Sequence, residues 1–352
     1  MGTQLGDPLA FVFGAGMMVS NSVPVVWPSS DRHEWDEQLA GTNIDERALI
    51  AGAELGPREL KKMDRMALLA LFAARQAWRN AGCEDGDRAT CGIMSGNAVA
   101  GWTFTEPQLR RLYSSGVDDI SPYLASAWFP AAAQGQISLH MKLRGYAKTI
   151  ATDRCAGTQA VGLAAEAISA GRGERFLAGA AEAPLTPFVE GASAYSGESP
   201  GALAEGAAYL VLGPALRGRG PVAGIYAHAT TVVPEERGER LAYCLQFLEE
   251  LVQGAGSGSP QLDVLVDSAS SSDRTLLTAL QTRSWVQRVW WVGDYVGDAL
   301  AATGPIAAAA LCGRYAAAPD TGPAILISLG ADFASAIVVA AVQEQEASHV
   351  SH

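Results

Sequence analysis

The stretch TIATDRCAGTQAVGLAAEAI, residues 149–168, carries the most chemical content in the chain. Its pattern predicts a short strand that runs into a tight polar turn and then opens a helix. The backbone N–H groups at such a helix start favour an anion or a thiolate, so Cys155 is the cysteine whose position could mean reactivity. A small buried residue at a crowded turn explains the same position equally well. The residues alone leave both interpretations open.

Two further motifs are better explained as loops. Gly14 and Gly16 give G-x-G after a strand, but the third glycine of a dinucleotide site is missing, so a strand-end turn is favoured. GESPG (197–201) matches G-x-S-x-G, yet a proline follows the serine and no strand precedes it, which predicts a surface loop. The sequence has no HExxH motif, no P-loop and no metal-ligand cluster. We therefore expect neither a metal nor a cofactor.

Charge and composition exclude several classes of function. The 352 residues contain 25 basic and 37 acidic side chains, and the resulting charge of −12 argues against nucleic acid as a partner. No window reaches ~18 consecutive apolar residues, and no signal peptide is apparent, so no membrane association is expected. The five cysteines form no CxxC pair, which suits reduced thiols. A cytoplasmic protein is predicted.

Helix and strand patterns alternate along the chain, which predicts an α/β fold. Residues 64–82 form an amphipathic helix with Asp64 as N-cap and Gly82 as stop. Small-residue helices at 157–171 and 304–317 are each followed by a strand, which suggests two similar halves. The predicted units are an N-terminal half (1–215), a C-terminal half (216–345) and a disordered tail (346–352).

Three segments carry a resemblance to a known family: SPYLASAWFPAAAQGQISLHMKLRG (121–145), RCAGTQAVGLAAEAISAG (154–171) and FLAGAAEAPLTPF (176–188). They resemble the β-ketoacyl synthases of type II polyketide and fatty-acid systems, and more narrowly their chain length factor, the ketosynthase β subunit. The resemblance implies a thiolase-like fold. This α/β fold has two similar βαβαβ-type halves in five layers, α-β-α-β-α.

The family's catalytic residues can be carried over one by one. Aligned on Gly157, the position of the nucleophilic cysteine holds Arg154, where chain length factors typically carry glutamine. The first histidine falls at Ala269 and the second at Asp298. A guanidinium is no nucleophile, and an aspartate repels the carboxylate of a malonyl group. The resemblance therefore implies no catalytic residue in this chain. Arg154, costly to bury at a helix start, is expected to contact a carboxylate.

The implied function is that of a non-catalytic subunit, which pairs with a catalytic ketosynthase α subunit and limits polyketide length during decarboxylative Claisen condensation. The acyl carrier protein would dock mainly on that partner. The family pattern places Trp102, Thr105 and Leu109 at the gate of the acyl-chain tunnel. The heterodimer interface would include Trp128, Phe129 and Gln136.

Other interpretations stay open. Trp102, Trp128 and Phe129 could belong to the core, and Thr105 with Gln108 could form a capping box that starts a helix. The chain could also be a degenerate stand-alone ketosynthase or acyltransferase that uses Cys155. A homodimeric thiolase-fold scaffold is a third possibility.

Overall fold

The structure is a computed structural model that describes residues 4–19, 44, 46–196, 203–214, 220–257, 261–267 and 271–342. The strands follow in chain order: β1 (Gln4–Leu5), β2 (Ala10–Val19), β3 (Gly92–Gly96), β4 (Ala147–Ile150), β5 (Phe176–Glu182), β6 (Gly206–Gly213), β7 (Ala223–Val232), β8 (Gly256–Ser257), β9 (Leu262–Val266), β10 (Val286–Trp291), β11 (Ala324–Leu329) and β12 (Phe333–Ala340). The helices follow likewise: α1 (Glu46–Ala53), α2 (Pro57–Leu60), α3 (Arg65–Asn80), α4 (Trp102–Ser115), α5 (Ala132–Met141), α6 (Ala156–Ser169), α7 (Pro187–Ser196), α8 (Arg237–Gly254), α9 (Ser271–Leu280), α10 (Gly293–Val296) and α11 (Thr303–Ala317).

Ten strands pair in the order β10-β9-β11-β12-β7-β2-β6-β5-β3-β4. The two halves of this order have the same pattern, since two antiparallel pairings are followed by two parallel pairings on each side. Antiparallel pairing of β2 with β7 joins them. The internal repeat predicted from the small-residue helices is therefore confirmed, because α6–β5 and α11–β11 occupy equivalent places. The predicted boundaries at 215 and 345 stay predictions, since residues 215–219 and 343–352 lie outside the described part.

Helices α6 and α11 pack between the two halves of the sheet. Helix α6 contacts β3 and β5 on one side and β7 and β12 on the other, while α11 contacts β6 and β2 as well as β11. Helix α3 covers the outer face of the first half, and α8 covers the second. This is the five-layered arrangement that the resemblance implies. Small side chains let α6 lie between two sheet faces, and its buried residues are mainly alanine, glycine and valine.

The two ends of helix α3 are set by residues next to it in the sequence. Asp64 caps it by accepting a hydrogen bond from the Met66 backbone N–H at 2.7 Å, and Gly82 follows it with a left-handed φ of 66°. Both predicted signals are confirmed. Among the described helices, none is long and apolar enough to cross a membrane.

Candidate functional site

The N-termini of the two central helices, α6 and α11, meet in the middle of the molecule. A Cβ on Gly157 would lie 2.0 Å from the Ala301 carbonyl oxygen and 2.8 Å from the Pro305 ring. On the other helix, a Cβ on Gly304 would lie 2.1 Å from the Thr158 hydroxyl. Glycine at both positions therefore allows the contact. This packing brings the turn before α6 next to the loop before α11.

Arg154 and Asp298 form an ion pair at this junction. The Arg154 Nη1 donates to Asp298 Oδ1, and only 15% and 5% of the two side chains are exposed. The backbone N–H of Leu300 also donates to Asp298 Oδ1, at 3.1 Å. The expectation that Arg154 contacts a carboxylate is confirmed. The structure thus brings together two of the three positions that the resemblance assigns to catalysis. The third, Ala269, lies outside the described residues.

Glu182 is a third ionisable residue at the site, and sequence reasoning missed it. It ends β5, is fully buried and accepts a hydrogen bond from the Ala98 backbone N–H. Burial raises its pKa to about 8, the nearby Asp298 acts in the same direction, and Arg154 acts against it. Its Oε2 has no hydrogen-bond partner in the described part of the chain. An acidic residue that ends an otherwise apolar buried strand was the signal that could have found it.

Cys155 does not have the properties of a nucleophile. Its Sγ lies 3.2 Å from the backbone oxygen of Ser328 and 3.2 Å from that of Phe333, which share its single S–H hydrogen, and the residue is fully buried. Burial, together with the charges of Asp153 and Asp267, raises the pKa of this thiol well above its usual value. The helix start was expected to favour a thiolate, but desolvation outweighs that effect. Of the two interpretations, the small buried residue at a crowded turn is the one that fits.

The loop between β11 and β12 closes over this turn. A Cβ on Gly330 would lie within 2.0 Å of the Asp153 carboxylate, so the loop backbone passes directly against that side chain. Arg240 donates from Nη1 to the Ala331 carbonyl oxygen at 2.7 Å and from Nη2 to that of Gly330. Asp153 also accepts from the Cys155 backbone N–H at 3.1 Å. The turn that holds Arg154 is therefore fixed from two sides.

Among the described residues, the site offers neither an activated nucleophile nor a histidine for acyl transfer. The two histidines in the described part of the chain, His140 and His228, lie near Glu59 (3.7 Å) and Glu166 (2.8 Å) instead. No group of three or more His, Cys, Asp or Glu residues in the described ranges is arranged to hold a metal ion. What the arrangement provides is a buried arginine–carboxylate pair beside a protonatable glutamate.

The predicted tunnel residues all lie on α4. Trp102 begins the helix, and its ring stacks on Phe188 with 4.4 Å between ring centroids. The Thr105 hydroxyl donates to the Gly101 carbonyl oxygen at 2.6 Å, and Leu109 is half-buried. The capping box at Thr105 and Gln108 is wrong, because the N-cap is Gly101, four residues earlier.

A long-range contact explains that earlier start. The Asp64 carboxylate accepts from the Phe104 backbone N–H at 2.8 Å and from the Thr103 hydroxyl at 2.6 Å. These bonds satisfy donors of the first turn of α4. The Gln108 side chain is used differently, since its Oε1 accepts from the Ser121 backbone N–H at 2.8 Å.

The predicted interface residues lie on α5 and in the segment just before it. Trp128 and Phe129 are 56% and 39% exposed, so neither ring belongs to the core. Gln136 lies on α5 and is half-buried. On the same helix, the Gln134 Oε1 accepts from the Thr149 hydroxyl of β4 at 2.9 Å. The structure thus places the three residues on and next to a helix that supports the edge of the sheet.

Comparison with known proteins agrees with this architecture. Residues 33–196 match the family model of the β-ketoacyl synthase N-terminal domain. The ketoacyl synthase β subunit of the tetracenomycin polyketide synthase of Streptomyces glaucescens is 31% identical over 160 residues, which are 45% of this chain and 38% of that protein. Nodulation protein E of Rhizobium leguminosarum bv. trifolii is 33% identical over 150 residues, 42% of this chain and 37% of that protein. The aligned stretch therefore spans less than half the length of either relative.

The likeness in structure extends further along the chain. A type II polyketide synthase ketosynthase, solved in complex with its acyl carrier protein, superposes with a TM-score of 0.74 and 22% identity, covering 95% of this chain and 99% of that one. Residues 33–196 are therefore similar in sequence to the N-terminal domain of the β-ketoacyl synthases, and the chain has the thiolase-like fold of these proteins.

Proposed function

We propose that this chain is the non-catalytic chain length factor of a type II polyketide synthase. The observation that carries the proposal is the buried Arg154–Asp298 ion pair. It lies where the resemblance assigns the nucleophilic cysteine and the second histidine, and a guanidinium held by a carboxylate cannot attack a thioester. The similarity to a ketoacyl synthase β subunit supports the same assignment.

The partner in this proposal is a catalytic ketosynthase α subunit, which supplies the cysteine and both histidines. That subunit carries out decarboxylative condensation of malonyl units on acyl carrier protein, while this chain lines the far end of the acyl tunnel. In a solved type II polyketide synthase structure, the ketosynthase is bound to its acyl carrier protein. That complex supports the proposal that a carrier protein docks on the heterodimer of this chain and its partner. Trp102, Thr105 and Leu109 remain the proposed gate residues.

Reconstitution tests the proposal. The purified chain, a type II polyketide ketosynthase α subunit and malonyl-loaded acyl carrier protein are combined, and polyketide products are measured by mass spectrometry. Products are expected only when both subunits are present. Arg154→Cys, paired with a ketosynthase whose cysteine is replaced, is expected to give none, because both histidine positions stay empty. Product from that combination would contradict the proposal.

The alternative function is that of a stand-alone enzyme that uses Cys155, and a separate experiment tests it. The isolated chain is incubated with an acyl thioester, and intact-mass measurement looks for a transferred acyl group. We expect no adduct, since the thiol is buried against two backbone carbonyls. An adduct that Cys155→Ala removes would favour the enzyme instead.

A further inference from the structure

A cavity of about 360 Å³ lies where helix α5 ends, and most of its lining is charged. The residues that line it are Asp85, Arg88, Ala89, Lys142 and Arg144. Three of the five are cations and one is a carboxylate, in a chain whose formal charge is −12. Because cations that converge on one cavity repel one another, an anion placed between them is bound favourably.

Hydrogen bonds hold together the two segments that form this cavity. The Arg144 backbone N–H donates to the Arg88 carbonyl oxygen at 3.0 Å, and the Arg88 Nη1 donates to the Met141 carbonyl oxygen at 2.7 Å. The Arg88 guanidinium also lies over the Trp78 ring, 5.8 Å from the ring centroid. Arg88 is therefore held against the turn at 142–144 before any ligand binds, which lowers the entropy cost of binding.

The one carboxylate of the cavity is already engaged. Asp85 Oδ1 lies 2.9 Å from the Arg88 Nε, so these two lining residues form an ion pair with each other. Lys142 and Arg144 are exposed and form no ion pair with another residue in the described ranges. They are the two cations of the cavity that a ligand can contact without breaking an existing ion pair.

Lys142 occupies a backbone position where glycine is the ordinary residue. It caps the C-terminus of α5 with a φ of 57° and a ψ of 35°, in the left-handed region that residues with a Cβ rarely adopt. A lysine costs conformational free energy there, whereas a glycine does not. A left-handed residue that carries a long cationic side chain into a charged cavity indicates that the side chain has a role in binding.

We propose that this cavity binds a small molecule that carries a diphosphate group, with the Lys142 ammonium and the Arg144 guanidinium donating to its phosphoryl oxygens. The inference does not depend on the proposed function. Charge-assisted hydrogen bonds from lysine and arginine are the contacts that recognise phosphoryl groups in proteins. A diphosphate presents one phosphoryl group to each of the two unpaired cations. A monophosphate carries less charge and fewer acceptor oxygens, so it is expected to bind more weakly.

Titration with inorganic pyrophosphate tests the site. Calorimetry at constant ionic strength gives the dissociation constant for wild type, for Lys142→Gln/Arg144→Gln and for the control Arg111→Gln/Arg172→Gln. The control residues are exposed cations that do not line the cavity, and their exchange changes the net charge of the chain by the same amount. We expect wild type to bind pyrophosphate and the first double variant to bind it about tenfold or more weakly, because two charge-assisted contacts are lost. The control is expected to bind as wild type does.

Two further measurements sharpen the result. Inorganic phosphate is expected to bind wild type more weakly than pyrophosphate does, and equal affinities would contradict the preference for a diphosphate. Lys142→Gly keeps the left-handed backbone and removes the ammonium, so it is expected to weaken pyrophosphate binding while the chain unfolds at no lower temperature than wild type. Undiminished binding by this variant would contradict the role of Lys142. Absence of pyrophosphate binding to wild type, or equal binding by wild type and both double variants, would overturn the site. Circular dichroism confirms that each variant is folded.

Discussion

Removing the partner of a buried charge lowers the free energy of unfolding more than removing the partner of an exposed charge. Asp298→Ala leaves the Arg154 guanidinium largely buried without its carboxylate, and such a loss costs about 3–5 kcal/mol of unfolding free energy. The control is Arg79→Ala, which removes an exposed pair with Glu54 and is expected to cost less than about 1 kcal/mol. Urea denaturation measures both. Equal losses in the two variants would show that the Arg154–Asp298 pair is not buried as described.

Glu182 predicts a pH dependence of stability with a definite sign. Its pKa is about 8 in the folded chain against 4.5 as a model value, so the folded state binds the proton more tightly. Stability from this group is fully present below about pH 4.5 and falls as the pH rises towards 8. Glu182→Gln is expected to remove that decline, whereas Glu190→Gln, at an exposed position, keeps it. Denaturation midpoints between pH 5 and 8 measure the difference, and parallel curves for wild type and Glu182→Gln would contradict it.

Trp102 carries the prediction about product length. Its indole is large enough to close an apolar tunnel, so Trp102→Ala paired with the native ketosynthase is expected to give longer polyketides. Tyr113→Ala is the matched control, because Tyr113 lies on the same helix and is 87% exposed. The product length distribution is read by mass spectrometry. An unchanged distribution at comparable turnover would remove Trp102 from the gate and leave it as the packing partner of Phe188.

At the scale of elements, the close packing of α6 and α11 can be tested through glycine. Gly157→Ala puts a methyl group 2.0 Å from the Ala301 carbonyl oxygen, which is backbone and cannot turn away. We expect a loss of about 1–3 kcal/mol, as for other overpacked positions. Gly313→Ala on α11 meets nothing within 4 Å and is expected to stabilise the helix by up to about 1 kcal/mol. Thermal or urea unfolding compares the two, and a neutral Gly157→Ala would mean that the helices are further apart.

The elements also show which features the sequence could predict. Helix α3 was predictable because its cap, its apolar stripe and its stop are all local. The start of α4 was not, since Asp64 reaches it from about 40 residues away. At the site, the carboxylate partner of Arg154 followed from the cost of burying a cation, although its identity did not. The buried Glu182 was missed because its cost depends on the strands packed around it.

For the whole molecule, we predict obligate pairing. Trp128, Phe129 and Tyr146 are exposed, and β4 is an edge strand that pairs on one side with β3. Exposed apolar side chains and an open strand edge are hazards in a monomer. Expressed alone, the chain is expected to be poorly soluble or to form promiscuous homodimers, and co-expression with the ketosynthase is expected to give a defined complex. Sedimentation velocity distinguishes these states. A stable, well-folded monomer would count against the prediction.

The ion pair at the junction of the central helices also constrains how the sequence can change over time. Exchanging Arg154 alone takes the guanidinium away from a buried carboxylate, and exchanging Asp298 alone takes the carboxylate away from a largely buried guanidinium. A substitution at one of the two positions lowers stability until the other position has also changed. The two positions are therefore expected to change together or to stay as they are. Once both residues are present, a single substitution at either position is selected against. Recovery of a cysteine at position 154 would first pass through an intermediate in which the Asp298 carboxylate has lost its guanidinium.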